Sequence, residues 1–422
     1  MKLNKVKLGD VLDVKRGTSL AGKYYDESGG KIRLTLGNFN YPRGGFKPNT
    51  SKKDIYFNGP VKDEFILQKG DVITPLTEQV RGLLGETARI PKSNTFIQSG
   101  DIGLLVPNEE KIDKLFMYHL FSSDLIKEQL SKGAQQTKIR HTSPDKIKNC
   151  IAWLPELSIQ RKIGTFLDNI DQKIAINNTI SKELESMAKT IYDYWFLQFE
   201  FPDRDGKPYR SNGGKIIWND QLKQEIPEGW KVKRLSDIEP NIVTGKTPST
   251  KDRSNFGKDV PFICIGDIRN HCFIDSTALS LSNKGANSQK KKFIPAGSLC
   301  VSCIATPGLI GFANKMSQTN QQINSIIFDN DERNKYFLFF ALNEYFNNIK
   351  STKIGNTFSN MNKNEFSDIL VIYDKNTIIK YFKEVEKYFK KIQLCEMENL
   401  QLKSLRDFLL PMLMNGQVTI KD

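Results

Sequence analysis

The chain of 422 residues lacks the features that mark several large classes of protein. No stretch approaches 18 uninterrupted apolar residues, so the sequence does not predict a membrane-spanning helix. The first twenty residues alternate charged and apolar groups and have no continuous apolar core, so we expect a cytoplasmic protein without a secretory signal. Six scattered cysteines do not indicate a disulfide framework.

Motifs for catalysis and for cofactor binding are also missing. There is no Pro-Pro dipeptide of the kind that holds the target amine in amino-methyltransferases, no G-x-G-x-x-G that opens a helix, and no P-loop. The three histidines have no triad context. Asp203, Asp205 and Lys207 resemble a nuclease motif, but their spacing is too tight and the segment is rich in turn formers. We therefore predict a binding protein that holds no cofactor itself.

What the chain has in excess is positive charge. Lysine and arginine number 62 against 48 acidic residues, which gives a net charge of +14. This balance favours a polyanionic partner, with nucleic acid first, although many basic proteins bind no polyanion.

The most informative feature is an internal duplication. Val6–Trp195 and Lys233–Leu413 share one pattern, with an offset that falls from 227 to 218 residues. Gly70 corresponds to Gly297, and the GLLG run at residues 82–85 corresponds to GLIG at 308–311. This period is the length of a domain with its connector and is too long for a solenoid repeat.

The duplication also bears on a possible metal site. Cys300 and Cys303 form a lone C-x-x-C, with Cys264, His271 and Cys272 upstream, whereas zinc needs four converging ligands. In the first copy the positions of Cys300 and Cys303 hold an isoleucine and a leucine. We therefore predict that these cysteines are core residues and that no metal is bound.

Each copy begins with a β-rich α+β domain and ends with a long helix. Short apolar and β-branched runs separated by Gly, Asn, Pro and Asp predict strands, and residues 112–130 and 336–348 predict shorter helices. The apolar residues then follow steps of three and four, which is the seam of a coiled coil. The predicted seams are Ile163, Phe166, Ile170, Ile174, Asn177, Ile180, Leu184, Met187, Ile191 and Tyr194, and Ile378, Phe382, Val385, Phe389, Ile392, Cys395, Asn399, Leu402, Leu405, Leu409 and Leu413.

Helices of about 40 residues would be about 60 Å long, and neither could bury such a stripe alone, so we expect them to pair. Asn177 and Asn399 would then lie on the seam, where polar residues can fix the register; the alternative is partial solvation near a helix crossing. The Gly- and Pro-rich residues 201–214 predict a connector. The predicted domains are a first β-rich domain at 1–153, helix 1 at 154–200, a connector at 201–228, a second β-rich domain at 229–373 and helix 2 at 374–416.

The polar loops hold side chains suited to DNA, because Arg and Lys bind phosphate and guanine, Asn and Gln suit adenine, and Ser and Thr suit either. Many of these residues could equally be solvated loop residues or turn caps. In the first copy the candidates are Lys15, Arg16, Thr18, Arg33, Asn38, Arg43, Gln79, Arg81, Gln136, Lys138, Arg140 and His141. In the second copy they are Thr244, Lys246, Thr247, Asp267, Arg269, Asn270, Gln321, Gln322, Asn324, Asn356, Thr357, Ser359 and Asn360.

Several short segments together form a recognisable pattern. They are GKTPS at 245–249, NQQIN at 320–324, Leu154-Pro155, QRKI at 160–163, FLDNID at 166–171, the connector at 201–214, IPEGW at 226–230 and LRDFLLPMLMNG at 405–416. With these segments the chain resembles the specificity (S) subunits of type I restriction-modification systems, and the resemblance covers nearly the whole chain. Two segments depart from the pattern: residues 374–377 lack the Pro and Gln-Arg of the first helix start, and residues 16–19 read RGTS in place of GKTP.

The resemblance implies two β-rich target recognition domains, each followed by a long helix, with the helices paired as an antiparallel coiled coil that has internal pseudo-two-fold symmetry. It implies a non-catalytic subunit in which each domain reads one half of a bipartite, asymmetric site in double-stranded DNA. The helix pair would set the spacer and dock two methyltransferase (M) subunits, which use S-adenosylmethionine to methylate adenine at N6. Two restriction (R) subunits, which use ATP and Mg²⁺, would join for cleavage. The alternative is a DNA-binding scaffold or decoy that reads no sequence.

Overall fold

A computed structural model of the chain describes residues 2–41, 44–49, 54–78, 82–133, 140–352 and 360–420. It contains two compact units. The first unit is formed by Met1–Lys173 with Leu402–Asp422, and the second by Ile174–Gln401. Each unit therefore holds a segment of both long helices. The domain limits predicted from the sequence stay a prediction, because these units divide the helices between them.

In the first unit, a β-rich domain precedes the first long helix, whose residues beyond Lys173 lie in the second unit. Its strands within the described ranges are β1 Asn4–Lys7, β2 Leu12–Arg16, β3 Tyr25–Asp26, β4 Lys31–Arg33, β5 Tyr56–Phe57, β6 Val72–Pro75, β7 Thr77–Glu78, β8 Ala88–Arg89, β9 Phe96–Ile97, β10 Ile102–Pro107, β11 Arg140–His141 and β12 Ile151–Leu154. Its helices are α1 Lys114–Phe121, α2 Asp124–Gly133, α3 Pro144–Lys148 and the long α4 Leu157–Tyr192.

These strands form two main sheets. One has the order β2-β10-β6-β8 and is antiparallel, and the other has the order β3-β5-β4-β9, with β4 and β9 parallel. All four residues of β6 are buried, as expected for the inner strand of a sheet that is covered on both faces. Helix α1 starts where the Asp113 carboxylate accepts a hydrogen bond from the Phe116 N–H at 2.9 Å.

The second unit contains a second β-rich domain and the part of the second long helix up to Gln401. The strands in its described ranges are β13 Ile216–Asn219, β14 Gln224–Pro227, β15 Lys231–Arg234, β16 Ile242–Thr244, β17 Phe256–Ile263, β18 Phe273–Ile274, β19 Leu279–Leu281, β20 Leu299–Ser302, β21 Ile310–Ala313, β22 Gln318–Thr319, β23 Ile323–Ile326 and β24 Leu370–Tyr373. The helices are α5 Leu235–Ile238, α6 Ile265–Ile268, α7 Asn283–Asn287, α8 Lys335–Thr352, α9 Lys363–Ser367 and α10 Lys375–Met414.

The topology of the second unit repeats that of the first. The order β16-β23-β20-β21 matches β2-β10-β6-β8, and β19-β17-β22 matches β5-β4-β9, including one parallel pair in each. Each domain also begins and ends on paired strands, because Asn4 lies opposite Leu154 and Lys231 lies opposite Tyr373. The predicted α+β class and the duplication are therefore confirmed.

The long helices α4 and α10 are antiparallel. In the second unit the Tyr381 hydroxyl donates to the Ala188 carbonyl at 3.0 Å, and Asn177 Nδ2 donates to Asn399 Oδ1 at 3.1 Å. In the first unit Arg406 binds Asp171 at 2.6 Å. Residue numbers thus increase along α4 while those of their contact partners decrease along α10, as in an antiparallel pair. Both asparagines are buried on the seam, as predicted.

Part of the predicted seam is wrong. Met187, Tyr194 and Leu405 are 49%, 40% and 44% exposed, whereas Ala188 and Tyr192 are buried in their place. From Leu184 the inward residues follow steps of four, and a π-helical turn at Asp193–Leu197 directly follows α4. At its other end α10 continues through Pro411, and Gly416 follows it with a φ of +76°.

The predicted connector is folded. Phe201 stacks on Tyr209 and on Trp230, with ring centroids 4.6 and 4.8 Å apart, and residues 216–227 form the β13–β14 hairpin. The Asp203 carboxylate accepts hydrogen bonds from the backbone N–H groups of Asp205 and Lys207, each at 2.9 Å. The segment that resembled a nuclease motif is thus a turn capped by the Asp203 carboxylate.

Candidate nucleic-acid interface

In the second unit, two distant polar motifs meet at the end of β16. We call Thr244–Thr247 together with residues 318–324 the second glycine corner. The Thr247 hydroxyl donates to Gln321 Oε1 at 2.6 Å, and the Lys246 N–H donates to the Thr319 carbonyl at 2.9 Å. The GKTPS and NQQIN segments found in the sequence are therefore neighbours.

Gly245 is required by the close approach of two backbone segments. A Cβ atom at this position would lie 2.1 Å from the Asn320 carbonyl oxygen and 2.4 Å from that of Thr319. Any side chain here would push the loop away from the strand that holds it. The glycine thus sets where the flanking side chains of Lys246 and Thr247 stand.

Two buried amides that the sequence did not single out support this corner from below. Gln289 Nε2 donates to the Lys246 carbonyl and to Gln318 Oε1, both at 2.7 Å, and Gln318 Nε2 donates to the Ala286 carbonyl at 2.9 Å. Both glutamines are buried. Nothing in the sequence separates them from ordinary polar loop residues, because their role depends on the fold.

Exposure divides the predicted residues of this corner into two groups. Lys246 and Gln321 are exposed and Thr247 is half-buried, so these side chains are available to a ligand. Asn324 is buried and accepts a hydrogen bond from the Thr244 hydroxyl at 2.6 Å, and Gln322 Oε1 accepts one from Asn320 at 3.1 Å. We therefore correct the expected role of Asn324 from base contact to structural support.

The remaining candidates of the second domain lie elsewhere. The Asp267 carboxylate accepts the backbone N–H groups of Cys264 at 2.8 Å and Ala278 at 2.9 Å, so it closes a turn and is not free to meet DNA bases. Arg269 and Asn270 are exposed in the turn that follows, and Asn270 has a φ of +64°. Asn360 is exposed as well. Asn356, Thr357 and Ser359 lie outside the described residues.

The first unit has the equivalent feature, which we call the first glycine corner: Lys15–Thr18 together with residues 98–100. A Cβ atom on Gly17 would lie 2.2 Å from the Ser99 carbonyl oxygen. Buried Gln98 donates to the Lys15 carbonyl at 2.7 Å, and Arg16 Nε donates to the Gly100 carbonyl at 2.9 Å. Lys15 and Arg16 are exposed and Thr18 is half-buried.

Two other first-domain candidates differ in availability. Arg33 is half-buried and lies over the ring of Tyr25, 5.2 Å from its centroid. Asn38 is only 2% exposed, and it accepts the Thr35 N–H at 2.9 Å while donating to the Lys47 carbonyl at 3.3 Å. Asn38 therefore holds its own turn, which corrects the expectation that it contacts bases.

A second polar junction joins β7 to β11. Buried Glu78 accepts the backbone N–H groups of Gly82 at 3.0 Å and Leu84 at 3.1 Å, and it pairs with Arg140 at 3.3 Å. Arg140 is thus held by an acid that the sequence did not single out, whereas the neighbouring His141 is exposed. The candidates outside the described residues are Arg43, Gln79, Arg81, Gln136 and Lys138.

The cysteines behave as core residues. Cys300 and Cys303 are buried as predicted, and burial raises the pKa of their thiols to about 12 and about 11. Among the described residues no group of three or more His, Cys, Asp or Glu could hold a metal ion. His119 is buried in α1, where burial lowers its pKa to about 4, so it is neutral at ordinary pH.

Comparison with known sequences identifies the family. The sequence profile of the type I restriction modification DNA specificity domain matches residues 2–186 and again residues 227–402. The chain belongs to this family. The two matches coincide with the two copies seen in the sequence, and both glycine corners lie inside them.

Two relatives in this family and one structural neighbour extend the comparison. The specificity subunit of the type I restriction enzyme HindI from Haemophilus influenzae is 31% identical over 83% of this chain and 87% of its own length. That of MjaIX from Methanocaldococcus jannaschii is 22% identical over 75% of this chain and 72% of its own. The S subunit of the system from M. genitalium has the same fold, with a TM-score of 0.60, 17% identity and coverage of 98% and 96%. None of the helices in the described ranges has the length and hydropathy to cross a membrane.

Proposed function

We propose that this specificity-family chain is the DNA-reading subunit of a type I restriction-modification complex and acts in the cytoplasm. Each recognition domain reads one half of a bipartite site. The observation that supports this most directly is that both domains repeat one topology and one glycine corner, while the exposed side chains at the corners differ. A shared frame with different polar surfaces suits one protein that reads two unlike half-sites.

The test exchanges one domain and reads methylated adenines by single-molecule sequencing. The junctions are placed at Lys231 and Tyr373, which lie opposite each other in paired strands, so that the folded connector stays intact. With its M subunits present, the hybrid should change one half-site and keep the other. The same exchange made with the Asn4–Leu154 cassette is the matched experiment for the other half. A change in both halves after either exchange would rule out modular reading.

We assign catalysis to partner subunits, with S-adenosylmethionine on the M subunits and with ATP and Mg²⁺ on the R subunits. The outer faces of the long helices support docking of two M subunits, because large apolar side chains are exposed there. Leu405 and Phe408, one helical turn apart on α10, are 44% and 65% exposed, and Ile176 on α4 is 54% exposed. Single exposed apolar residues are common, so it is the spacing of Leu405 and Phe408 on one face of α10 that supports an interface.

Docking is tested by replacing Leu405 and Phe408 with serine. The variant should bind M subunits more weakly by at least tenfold in a pull-down titration, because it loses two apolar anchors at the interface. The matched control replaces Gln401 with serine and Ser404 with alanine, which are exposed polar residues of the same helix. Unchanged binding by the apolar variant would place the M subunits elsewhere.

We further propose that the long helices set the spacer between the half-sites. They contain 36 and 40 residues, about 54 and 60 Å at 1.5 Å per residue, and the half-sites on one face of DNA lie about 34–36 Å apart or multiples of this. One heptad inserted in each helix beside Asn177 and Asn399 should lengthen the spacer and preserve both half-sites. A spacer of unchanged length would refute this role.

The alternative is a DNA-binding scaffold or decoy without sequence readout. The two functions predict different specificity ratios. With the M subunits present, a sequence-specific subunit should bind the site identified by sequencing about a thousandfold or more tighter than it binds a scrambled duplex of equal length. A scaffold should bind both duplexes equally.

A further inference from the structure

A single turn of 3₁₀ helix, Lys290–Lys292, carries three consecutive lysines in the second unit. Lys290 and Lys291 are exposed. Across the described ranges, the amino groups of Lys290, Lys291 and Lys246 form no salt bridge and no hydrogen bond with the protein. Like charges on adjacent residues repel each other, so an anion that contacts them would relieve this repulsion.

This turn is fixed directly to the second glycine corner. Gln289, the residue that precedes it, donates to the Lys246 carbonyl at 2.7 Å, and Lys292 Nζ donates to the Thr244 carbonyl at 2.9 Å. The backbone beneath Lys290 and Lys291 is therefore held against the loop that presents Lys246. The three free ammonium groups belong to one ordered surface and not to a separate tail.

The first unit contains the same turn with the opposite charge. Asp63–Phe65 is also a 3₁₀ turn. The backbone two residues beyond each turn makes the equivalent hydrogen bond: the Leu67 N–H donates to the Phe96 carbonyl at 3.0 Å, and the Ile294 N–H donates to the Ser317 carbonyl at 2.9 Å. When the two turns are matched residue by residue, exposed Asp63 and Glu64 occupy the positions of Lys290 and Lys291. The backbone of the turn therefore does not require lysine.

We propose that Lys290 and Lys291, together with Lys246, contact the DNA phosphate backbone beside the half-site read by the second domain, and that the first domain makes no such contact through its equivalent turn. The inference rests on the proposed function and adds a positioning surface to it. Ammonium groups suit phosphate as point charges and carry no base information, so this surface fixes the register of the duplex while other residues read it. DNA would thus be anchored unequally by the two domains.

The test measures how binding depends on salt. The full complex is titrated with a 40-base-pair duplex that carries the methylated site and with a scrambled duplex of the same length, at several KCl concentrations. Replacing Lys290 and Lys291 with serine should reduce the slope of log K against log salt by about 1 per lysine for both duplexes. The ratio of the two affinities should stay within about twofold of wild type.

The matched control replaces Lys223 and Lys231 with serine, which removes the same charge from exposed residues of the β13–β14 turn and of β15. The control should keep the wild-type slope. A second variant, in which Asp63 and Glu64 become serine, should leave the slope unchanged or raise it slightly. If the slope of log K against log salt falls equally in the lysine variant and in the control, the effect is one of overall charge and the proposal is overturned.

Phosphate ethylation interference locates the contacts. The Lys290 and Lys291 variant should lose interference only beside the half-site that changes when residues 231–373 are exchanged. Interference lost beside the other half-site would overturn the proposed phosphate contact. So would an unchanged interference pattern together with a wild-type salt slope. In both cases the sequence preference of the complex, and with it the proposed function, would persist. If instead wild type binds both duplexes equally, it is the proposed function that fails.

Discussion

The two recognition domains share a frame but are attached to the long helices by different chemistry. In the first unit polar contacts accompany apolar packing at this junction: Ile163 and Leu167 of α4 lie in the core of the domain, Arg89 binds Asp168, and Gln160 Oε1 accepts the Asp113 N–H at 3.0 Å. In the second unit aromatic packing dominates, because Tyr192 of α4 and Phe196 of the π-helical turn after it pack against Phe337 of α8. One architecture thus tolerates either solution, because what it requires is that the junction be filled and its polar groups paired.

Within the first unit the two long helices are also joined by the ion pair of Arg406 and Asp171, and breaking this pair should have the largest effect on stability. Replacement of Arg406 by leucine leaves the Asp171 carboxylate poorly exposed and without this partner, so we expect a loss of about 3–5 kcal/mol. Hydrogen–deuterium exchange in peptides of α4 and urea unfolding of the full chain would measure it. Leucine at both positions should recover most of the loss, and failure to recover would show that packing of the arginine, not its charge, matters.

The second unit has a different weak point in Glu396 of α10. Its carboxylate accepts the backbone N–H groups of Cys272 at 3.0 Å and Phe273 at 2.7 Å, while burial raises its pKa from 4.5 to about 7, with Asp275 and Glu185 contributing to the rise. The folded protein thus keeps this proton to a higher pH than the unfolded chain does. The resulting stability is complete below about pH 4.5 and is lost as the pH rises through 7.

Substitution of Glu396 by glutamine should remove this pH dependence. The free energy of unfolding of wild type, relative to the variant, should fall by up to about 3 kcal/mol between pH 5 and pH 8, because each unit of pKa shift corresponds to about 1.4 kcal/mol. Substitution of the partly exposed Glu384 by glutamine is the control on the same helix. Parallel pH profiles for wild type and the Glu396 variant would contradict the assignment.

The shared frame is tested at the glycine corners. Alanine at Gly245 or at Gly17 would place a methyl group against backbone carbonyls, so we expect each to cost about 1–3 kcal/mol of stability and to weaken DNA binding. Gly266 is the control, because a Cβ atom there would meet nothing within 4 Å. Thermal unfolding and duplex affinity measure the two effects. An affinity preserved in the Gly245 variant would separate this corner from recognition.

The smallest effect is expected at the seam. Alanine at Asn177 should cost about 1–2 kcal/mol, because Asn399 loses a hydrogen-bond partner in a buried position. Leucine at both positions should restore stability, but it should allow other registers, which would appear as a broadened spacer in the methylated sites. A spacer that stays sharp would show that the amides do not fix the register.

The sequence predicted the frame better than the surface. The sequence singled out the loops at residues 15–18 and 244–247 and placed Asn177 and Asn399 on the seam, because close backbone approach and burial restrict the residue type directly. Met187 and Tyr194 were wrongly placed on the seam because Ala188, which is buried there instead, carries little hydrophobic signal; its small size lets the Tyr381 hydroxyl reach the Ala188 carbonyl. Gln289 and Glu78 could not be found, since each acts on a segment that only the fold brings near it.

The pairing of the first and last strands of each domain has a consequence for how genes of this kind can change. Residues 231 and 373 are neighbours across one ladder, so a DNA segment that encodes everything between them leaves and joins the protein at a single point. Recombination at these two points would exchange a whole recognition domain in one event and leave the connector and the long helices in place. Because β15 pairs with β24 at this point, the segment that is exchanged is a whole domain.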